Sequence, residues 1–233
     1  MRKKIIFAAL IAVAVCLTGC KKEPPKTQEE LYSDAVKDAA FADEDEILPL
    51  VSLNESDPMT TWKDGKVLLL TWHNYPDSYP EGETVTIQWG PVWTFTDKEI
   101  ASHGKEFSDD PETRLKQLIA FAPDSEHSTV TGFWVDPKNV KRPAYQTDPT
   151  VGNMTNDFGE SVDEEFKAWF DDNILWSYYY GNFPWTRLGY TYDWADNGTE
   201  YGMTEFIVES GAEVKVEFTE STEEFLNRIN SLI

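Results

Sequence analysis

The sequence predicts an α+β fold: one domain built on a mainly antiparallel sheet with helices packed against it. Three observations lead there. Short β-rich runs and capped helical stretches are intermixed without a regular strand–helix–strand alternation, and hairpin signals recur toward the C-terminus. All nine tryptophans fall between Trp62 and Trp194, where with Phe and Tyr they supply the apolar area of a single core.

Taken in chain order, Lys21-Lys22-Glu23-Pro24-Pro25 is a polar, extended spacer. Thr27-Gln28-Glu29-Glu30 matches a capping box, and Leu31, Tyr32, Ala35, Val36, Ala39 and Ala40 recur at helical spacing, which predicts a short helix. The acidic run Asp43 to Glu46 closes it. The tract through Asn54, Ser56, Asp57 and Pro58 reads as loop, so residues 20–59 are expected to form an acidic tether and residues 60–233 the globular domain. Lys66 to Trp72 is a strand whose Val67-Leu68-Leu69-Leu70 is too uniformly apolar for an edge, so it is placed centrally. Thr84 to Trp89 and Val92 to Thr96 are strands interrupted by Gly90-Pro91, a bend or bulge at a sheet edge.

Thr96-Asp97-Lys98-Glu99 is a second capping box, opening a helix that Gly104 stops. Asp110-Pro111 has the cap and first-turn proline of a helix whose apolar face is Leu115, Leu118, Ile119 and Ala122. Thr129 to Val135 is a strand, and Asp136 to Gly159 a long polar loop. Ser161-Val162-Asp163-Glu164 caps a helix with Phe166, Trp169, Phe170 and Ile174 on one face. Arg187 to Trp194 alternates Leu188, Tyr190, Tyr192 and Trp194 against Arg187, Gly189, Thr191 and Asp193, predicting a strand with a buried aromatic face and an opposite polar face. Thr204 to Val208 and Glu213 to Phe218 read as a hairpin turned at Ser210-Gly211, and Ser221 to Ile233 as a closing helix.

The N-terminus sets location. Arg2-Lys3-Lys4 precedes an uninterrupted apolar run, Ile5 to Leu17, of 13 residues. A spanning helix needs about 20, so this run is a signal-peptide core and not a membrane span. It closes on Leu17-Thr18-Gly19-Cys20, which resembles the lipobox of bacterial lipoproteins. The resemblance implies cleavage of residues 1–19, a diacylglyceryl group on the Cys20 thiol and a further acyl chain such as palmitate on the new amino terminus. Two or three chains suffice for stable membrane attachment. The expected location is the cell envelope, extracytoplasmic. Lys21 stands where an aspartate commonly retains lipoproteins at the inner membrane, which tilts the expectation to the outer membrane in a cell that has one.

Processing leaves 17 Lys plus Arg against 42 Asp plus Glu, a formal net charge of −25. That sign excludes nucleic acid as a partner, because such binding rests on basic side chains displacing counterions. Cys16 leaves with the signal and Cys20 carries lipid, so the folded part has no disulfide, thiolate metal site or cysteine nucleophile.

A second resemblance rests on Tyr75-Pro76-Asp77-Ser78-Tyr79, Val92-Trp93 with Thr96-Asp97, Arg114-Leu115-Lys116-Gln117-Leu118, Arg142-Pro143 and Pro184 to Trp194. These look like a group of uncharacterised secreted bacterial proteins over most of Lys66 to Val216. The resemblance implies an extracytoplasmic bacterial domain and transfers no catalytic residue.

Candidate chemistry is sparse. His73, His103 and His127 have no partner at metal-ligand spacing, and no metal or cofactor is expected. His73, at the end of the apolar strand, is a ligand-binding candidate or simply a polar residue leaving the core. Asp193, Asp196, Asn197, Gly198 and Glu200 offer hard oxygens in one loop, but Ala195 and Thr204 fall where an EF-hand needs ligands, so turn formation explains them better than calcium. Arg187, Asp193 and Glu205 are placed to converge across a hairpin, which suits acid/base catalysis or equally an ion pair fixing strand register. Among the aromatics, Trp89, Trp93, Tyr178, Tyr179, Tyr180, Trp185, Tyr190 and Tyr192 are either core or a stacking surface for a glycan. Tyr178-Tyr179-Tyr180-Gly181 is the segment expected outside. No phosphate loop or nucleophile elbow is present. The expected function is a lipid-anchored, non-catalytic domain binding a protein, peptide or glycan; the alternative is an extracytoplasmic enzyme on glycan or another polar substrate, working through Arg187, Asp193 and Glu205.

Overall fold

The computed structural model describes residues 24–160 and 162–230. Among the described residues five α-helices and ten strands make up the α+β fold. The strands are β1 (Trp62–Lys63), β2 (Lys66–His73), β3 (Thr84–Thr86), β4 (Val92–Thr96), β5 (Thr129–Val135), β6 (Val140–Lys141), β7 (Tyr190–Tyr192), β8 (Tyr201–Thr204), β9 (Phe206–Val208) and β10 (Glu213–Ser221). The helices are α1 (Gln28–Asp38), α2 (Asp97–Ser102), α3 (Pro111–Leu118), α4 (Glu164–Leu175) and α5 (Thr222–Asn230). The main sheet runs β3-β10-β5-β2-β4-β9-β6, every pair antiparallel, with β1 folded back on β2 and β7-β8 a separate ribbon.

β2 is central, as its composition requires, and the reason is two-sided burial. Val67 and Leu69 face one apolar cluster with Phe133, Val135, Phe206, Val208 and Val214. Leu68, Leu70 and Trp72 face the other, against Ile100 of α2, Leu115 and Leu118 of α3, and Phe225, Leu226 and Ile229 of α5. Successive side chains point to opposite faces, so a strand buried on both must be apolar throughout. Val208 of β9 and Val214 of β10 share a cluster although three strands lie between them in the sheet order, so the sheet curls strongly around that core.

Several caps form as their sequences predict. Thr27 accepts from the Glu30 amide while the Glu30 carboxylate accepts from the Thr27 amide, the reciprocal box that starts α1. Asp110 caps α3 with Pro111 in its first turn; α5 starts on a further reciprocal pair, Ser221 and Glu224, which is not among the expected caps.

Other expectations are corrected. The packed body starts well before residue 60: Tyr32, Ala35 and Val36 of α1 pack on Trp194, and Leu50 and Leu53 are buried, because the predicted tether carries enough apolar side chains to dock. The box at Thr96 does not form. Glu99 turns instead to β8, where its carboxyl accepts from the Thr204 amide and hydroxyl at 2.8–3.1 Å. Asp163, not Ser161, caps α4; Ser161 lies outside the described residues. The strand expected at Thr84 to Trp89 stops at Thr86. β9 and β10 do not form a hairpin, for the turn near Gly211 carries the chain from one side of the curled sheet to the other. The loop 136–159 is not structureless: it holds β6 and a bridge from Asn153 to Pro49.

The strand Arg187 to Trp194 shrinks to β7. Arg187 and Gly189 both have positive φ, 63° and 87°, so the segment bends where the alternation assumed extension. Glycine is needed at 189, since a Cβ there would stand 2.7 Å from Arg142 Cδ. Leu188 and Tyr190 are buried as expected and Tyr192 half-buried, but the polar partners Arg187 and Asp193 are buried as well.

Candidate functional site

The site is an aromatic cleft that opens where the main sheet splits. β2 and β4 share two register pairs, Leu69↔Thr96 and Leu70↔Phe95. Beyond them β2 stays on β5 through His73↔Thr129, while β4 follows β9 through Val92↔Val208. The diverging segments Thr71 to His73 and Val92 to Thr94 form two walls, and the end of α4 with the π-helical turn Trp176–Tyr180 contributes a third. A π-turn widens the backbone by one residue and recurs at functional sites. Here Gly181 closes it, its amide donating to Trp176 O at 2.6 Å, and a Cβ at 181 would collide with the Trp176 ring.

The cleft has a volume of about 770 Å³. Trp89 (97% exposed), Tyr75 and Trp176 stand at its mouth; Trp72, Trp93 and Phe121 line its interior, and the buried Ser177 and Glu205 its floor. Trp93 is held edge-on to Trp185, with ring centroids 6.1 Å apart, and Trp72 edge-on to Phe121 at 5.4 Å. No Lys or Arg is among the lining residues.

Its accessible surface is mainly apolar, and burial shifts both His73 and Glu205 toward their neutral forms. His73 Nδ1 accepts from the Tyr75 amide at 3.0 Å, which leaves the proton on Nε2, 2.8 Å from Thr131 Oγ1. From there a one-way string runs through Thr219 Oγ1 to Tyr79 O. Burial lowers the imidazole to about 4, so His73 is neutral. Glu205 is the opposite case: burial pushes its carboxyl up to about 8, only partly offset by the Trp185 indole and then by the nearby Arg142 guanidinium. Glu205 Oε1 and Ser177 Oγ are buried and have no hydrogen-bond partner.

The predicted trio of Arg187, Asp193 and Glu205 does not assemble. Arg187 donates to Ala40 O at 2.7 Å and to the Tyr145 hydroxyl at 3.1 Å, with its guanidinium over the rings of Tyr145 and Tyr178. Asp193 is held by both guanidinium nitrogens of Arg114, at 2.8 and 2.6 Å. The same carboxylate accepts from the Ala195 amide and Asn197 side chain, which organises the 193–200 loop as a turn. Only Glu205 of the three reaches the cleft. Among the other candidates, His73 lines it. Trp185 is 1% exposed and belongs to the core, its indole N–H donating to Pro143 O. Tyr178 is not an outside residue: its hydroxyl donates to Ala39 O at 2.9 Å and is also shared with Trp185 O. Tyr179 and Tyr180 are exposed, away from the cleft lining. The sequence reading missed Trp72, Phe121, Trp176 and Ser177 as site residues, and the one local hint was the aromatic run ending in Gly181.

A second depression of about 570 Å³ is acidic. One carboxylate oxygen from each of Asp38, Glu46 and Glu200 lies within 4.8 Å of the others, a set of hard oxygens chemically suited to a divalent cation. Asp38 Oδ2 is already engaged by the Tyr192 hydroxyl at 2.7 Å. Among the described residues no helix is long and apolar enough to cross a membrane. Comparison with protein families, characterised proteins and solved structures returns no match for this chain, which leaves the fold and the cleft as the basis for a functional reading.

Proposed function

We propose that this chain is a lipid-anchored, extracytoplasmic bacterial binding protein, attached through Cys20, whose aromatic cleft retains a small ligand or a short unit of a glycan or peptide without transforming it. The observation that carries the reading is the cleft itself: a concavity walled by aromatic rings with few polar groups, the usual make-up of a ligand site. The absence of a carboxylate pair or an activated nucleophile among its lining residues favours retention over turnover. An acidic exterior keeps such a domain soluble beside a membrane.

Isothermal titration of the mature chain carrying Cys20→Ala against envelope glycans and small metabolites tests the binding role. A ligand whose affinity drops with Trp89→Ala, at unchanged Tm, supports it. Binding indifferent to that substitution, or no binding at all, overturns it. Metabolic labelling with a fatty-acid analogue tests the anchor: label should vanish with Cys20→Ala, and label retained on the variant would remove the lipoprotein assignment.

A further inference from the structure

We infer that the cleft is specific for organic cations, small ammonium compounds with an apolar body, and that Glu205 is the counter-charge that selects them. The inference rests on the binding role proposed above and narrows it to one ligand class.

Three features of the molecule converge on a positive charge. Aromatic faces attract cations through the negative face of the ring, most strongly when water is excluded, and the four tryptophans among the lining residues suit this best. The floor holds an acid and no base. Glu205 is buried with one carboxyl oxygen unpartnered, and a buried polar atom left so is a site awaiting a partner. Third, the charge count around Glu205 is one cation short. Its charged neighbour is Arg142, which is fully buried and donates only to the carbonyls of Val51, Pro149 and Val151. Arg142 also faces the second buried acid, Glu99, so one guanidinium serves two carboxyls. When both acids ionise, the cluster carries a net negative charge, and a ligand cation at the cleft floor restores neutrality. An anionic ligand would meet the reverse field, and a neutral one would leave the second carboxyl protonated.

The remaining titratable groups near Glu205 do not supply the missing charge. His73 shares the cleft but burial keeps it neutral, Tyr178, which feels the Glu205 charge, stays protonated for the same reason, and Arg187, stacked on Tyr178, donates to the Ala40 carbonyl and the Tyr145 hydroxyl. Glu99 is occupied with Thr204.

The experiment uses the mature chain and three compounds of one shape: choline, its neutral isostere 3,3-dimethylbutan-1-ol, and the anion 3,3-dimethylbutanoate. Calorimetry at pH 8 should show choline binding at least tenfold more tightly than the alcohol, with no binding of the acid. Glu205→Gln should cut the preference for choline over the alcohol severalfold, leaving only what the aromatic rings supply, and retained alcohol binding shows that the variant keeps its cleft. A check without any variant is pH: choline affinity should fall severalfold from pH 9 to pH 6, as the floor carboxyl takes up its proton, and alcohol affinity should not. Equal binding of choline and the alcohol by the native chain overturns the inference, as does a cation preference that Glu205→Gln leaves undiminished. If a neutral glycan binds in a Trp89-dependent way without ammonium preference, the cleft retains its binding role and only the ligand class is wrong. If nothing binds, both readings fall.

Discussion

The aromatic cleft and the acidic recess both raise the pKa of a glutamate, and they do so in instructively different ways. Glu205 in the cleft rises to about 8 through burial, with the Trp185 indole and the Arg142 guanidinium pulling the other way. Glu200 in the recess rises to about 7 through partial burial assisted by the charges of Glu46 and Asp38. Repulsion between half-exposed charges is screened by salt and absorbed by water, whereas the cost of isolating a charge under aromatic rings is not. The recess therefore satisfies itself in solvent. The cleft leaves a carboxyl that only a protein group, a proton or a ligand can satisfy.

The largest effect is expected at the wall of the recess. Asp193→Ala strips a buried carboxylate from Arg114, leaving a guanidinium that retains only Glu106. Breaking a buried pair costs about 3–5 kcal/mol. Denaturant melts should show that loss, and a loss below about 1 kcal/mol would mean that the recess wall does not depend on this pair.

Next comes the pH dependence of stability. Glu205 has its native pKa raised above its unfolded value, so its ionisation opposes folding: the native state is undiminished below about pH 4.5, and this group removes stability as pH rises toward about 8. The expected slope is about 1.4 kcal/mol per pH unit across that window. Glu99, raised to about 7 by burial, acts in the same direction, and His73, depressed to about 4, acts oppositely by losing stability as pH falls below its unfolded value near 6.5. Stability should therefore peak in mildly acidic solution. Glu205→Gln should flatten the alkaline limb; an unchanged limb would show that this carboxyl is not isolated.

A smaller response is expected from Glu200→Gln. Discounted for solvent, relief of repulsion is worth less than about 1 kcal/mol at pH 8 and low salt, and 0.5 M NaCl should erase it. Calcium and magnesium should act on the recess equally, as screening ions. A Tm rise particular to calcium would turn the recess from a crowded surface into a metal site. Smallest of all, Trp89→Ala should leave stability within about 0.5 kcal/mol, because the ring is 97% exposed, while weakening whatever the cleft binds.

Features decided by neighbours in sequence were legible there. The Thr27–Glu30 box, Asp110-Pro111 and the doubly buried β2 and β5 involve residues a few positions apart or a composition that permits one answer. The failures share a cause: a distant partner outcompeted a local pattern. Glu99 belongs to a valid capping box, but Thr204 offers two donors where the Thr96 amide offers one. Arg187 and Asp193 alternate correctly, yet Tyr145 and Arg114, 42 and 79 residues away, claim them. The cleft lay furthest out of reach, since it exists only because β2 and β4 part company after two pairs, and nothing in either strand announces where its partner will leave.

The Tyr178 hydroxyl has a mechanical meaning. It ties the carbonyl at the end of α1 to the turn whose Trp176 and Ser177 line the cleft, and Arg187 adds a second strut to the same helix end. In a chain anchored as proposed, tension along α1 would be shared between its packing on Trp194 and this joint, and the share borne by Tyr178 and Arg187 would reach one wall of the cleft.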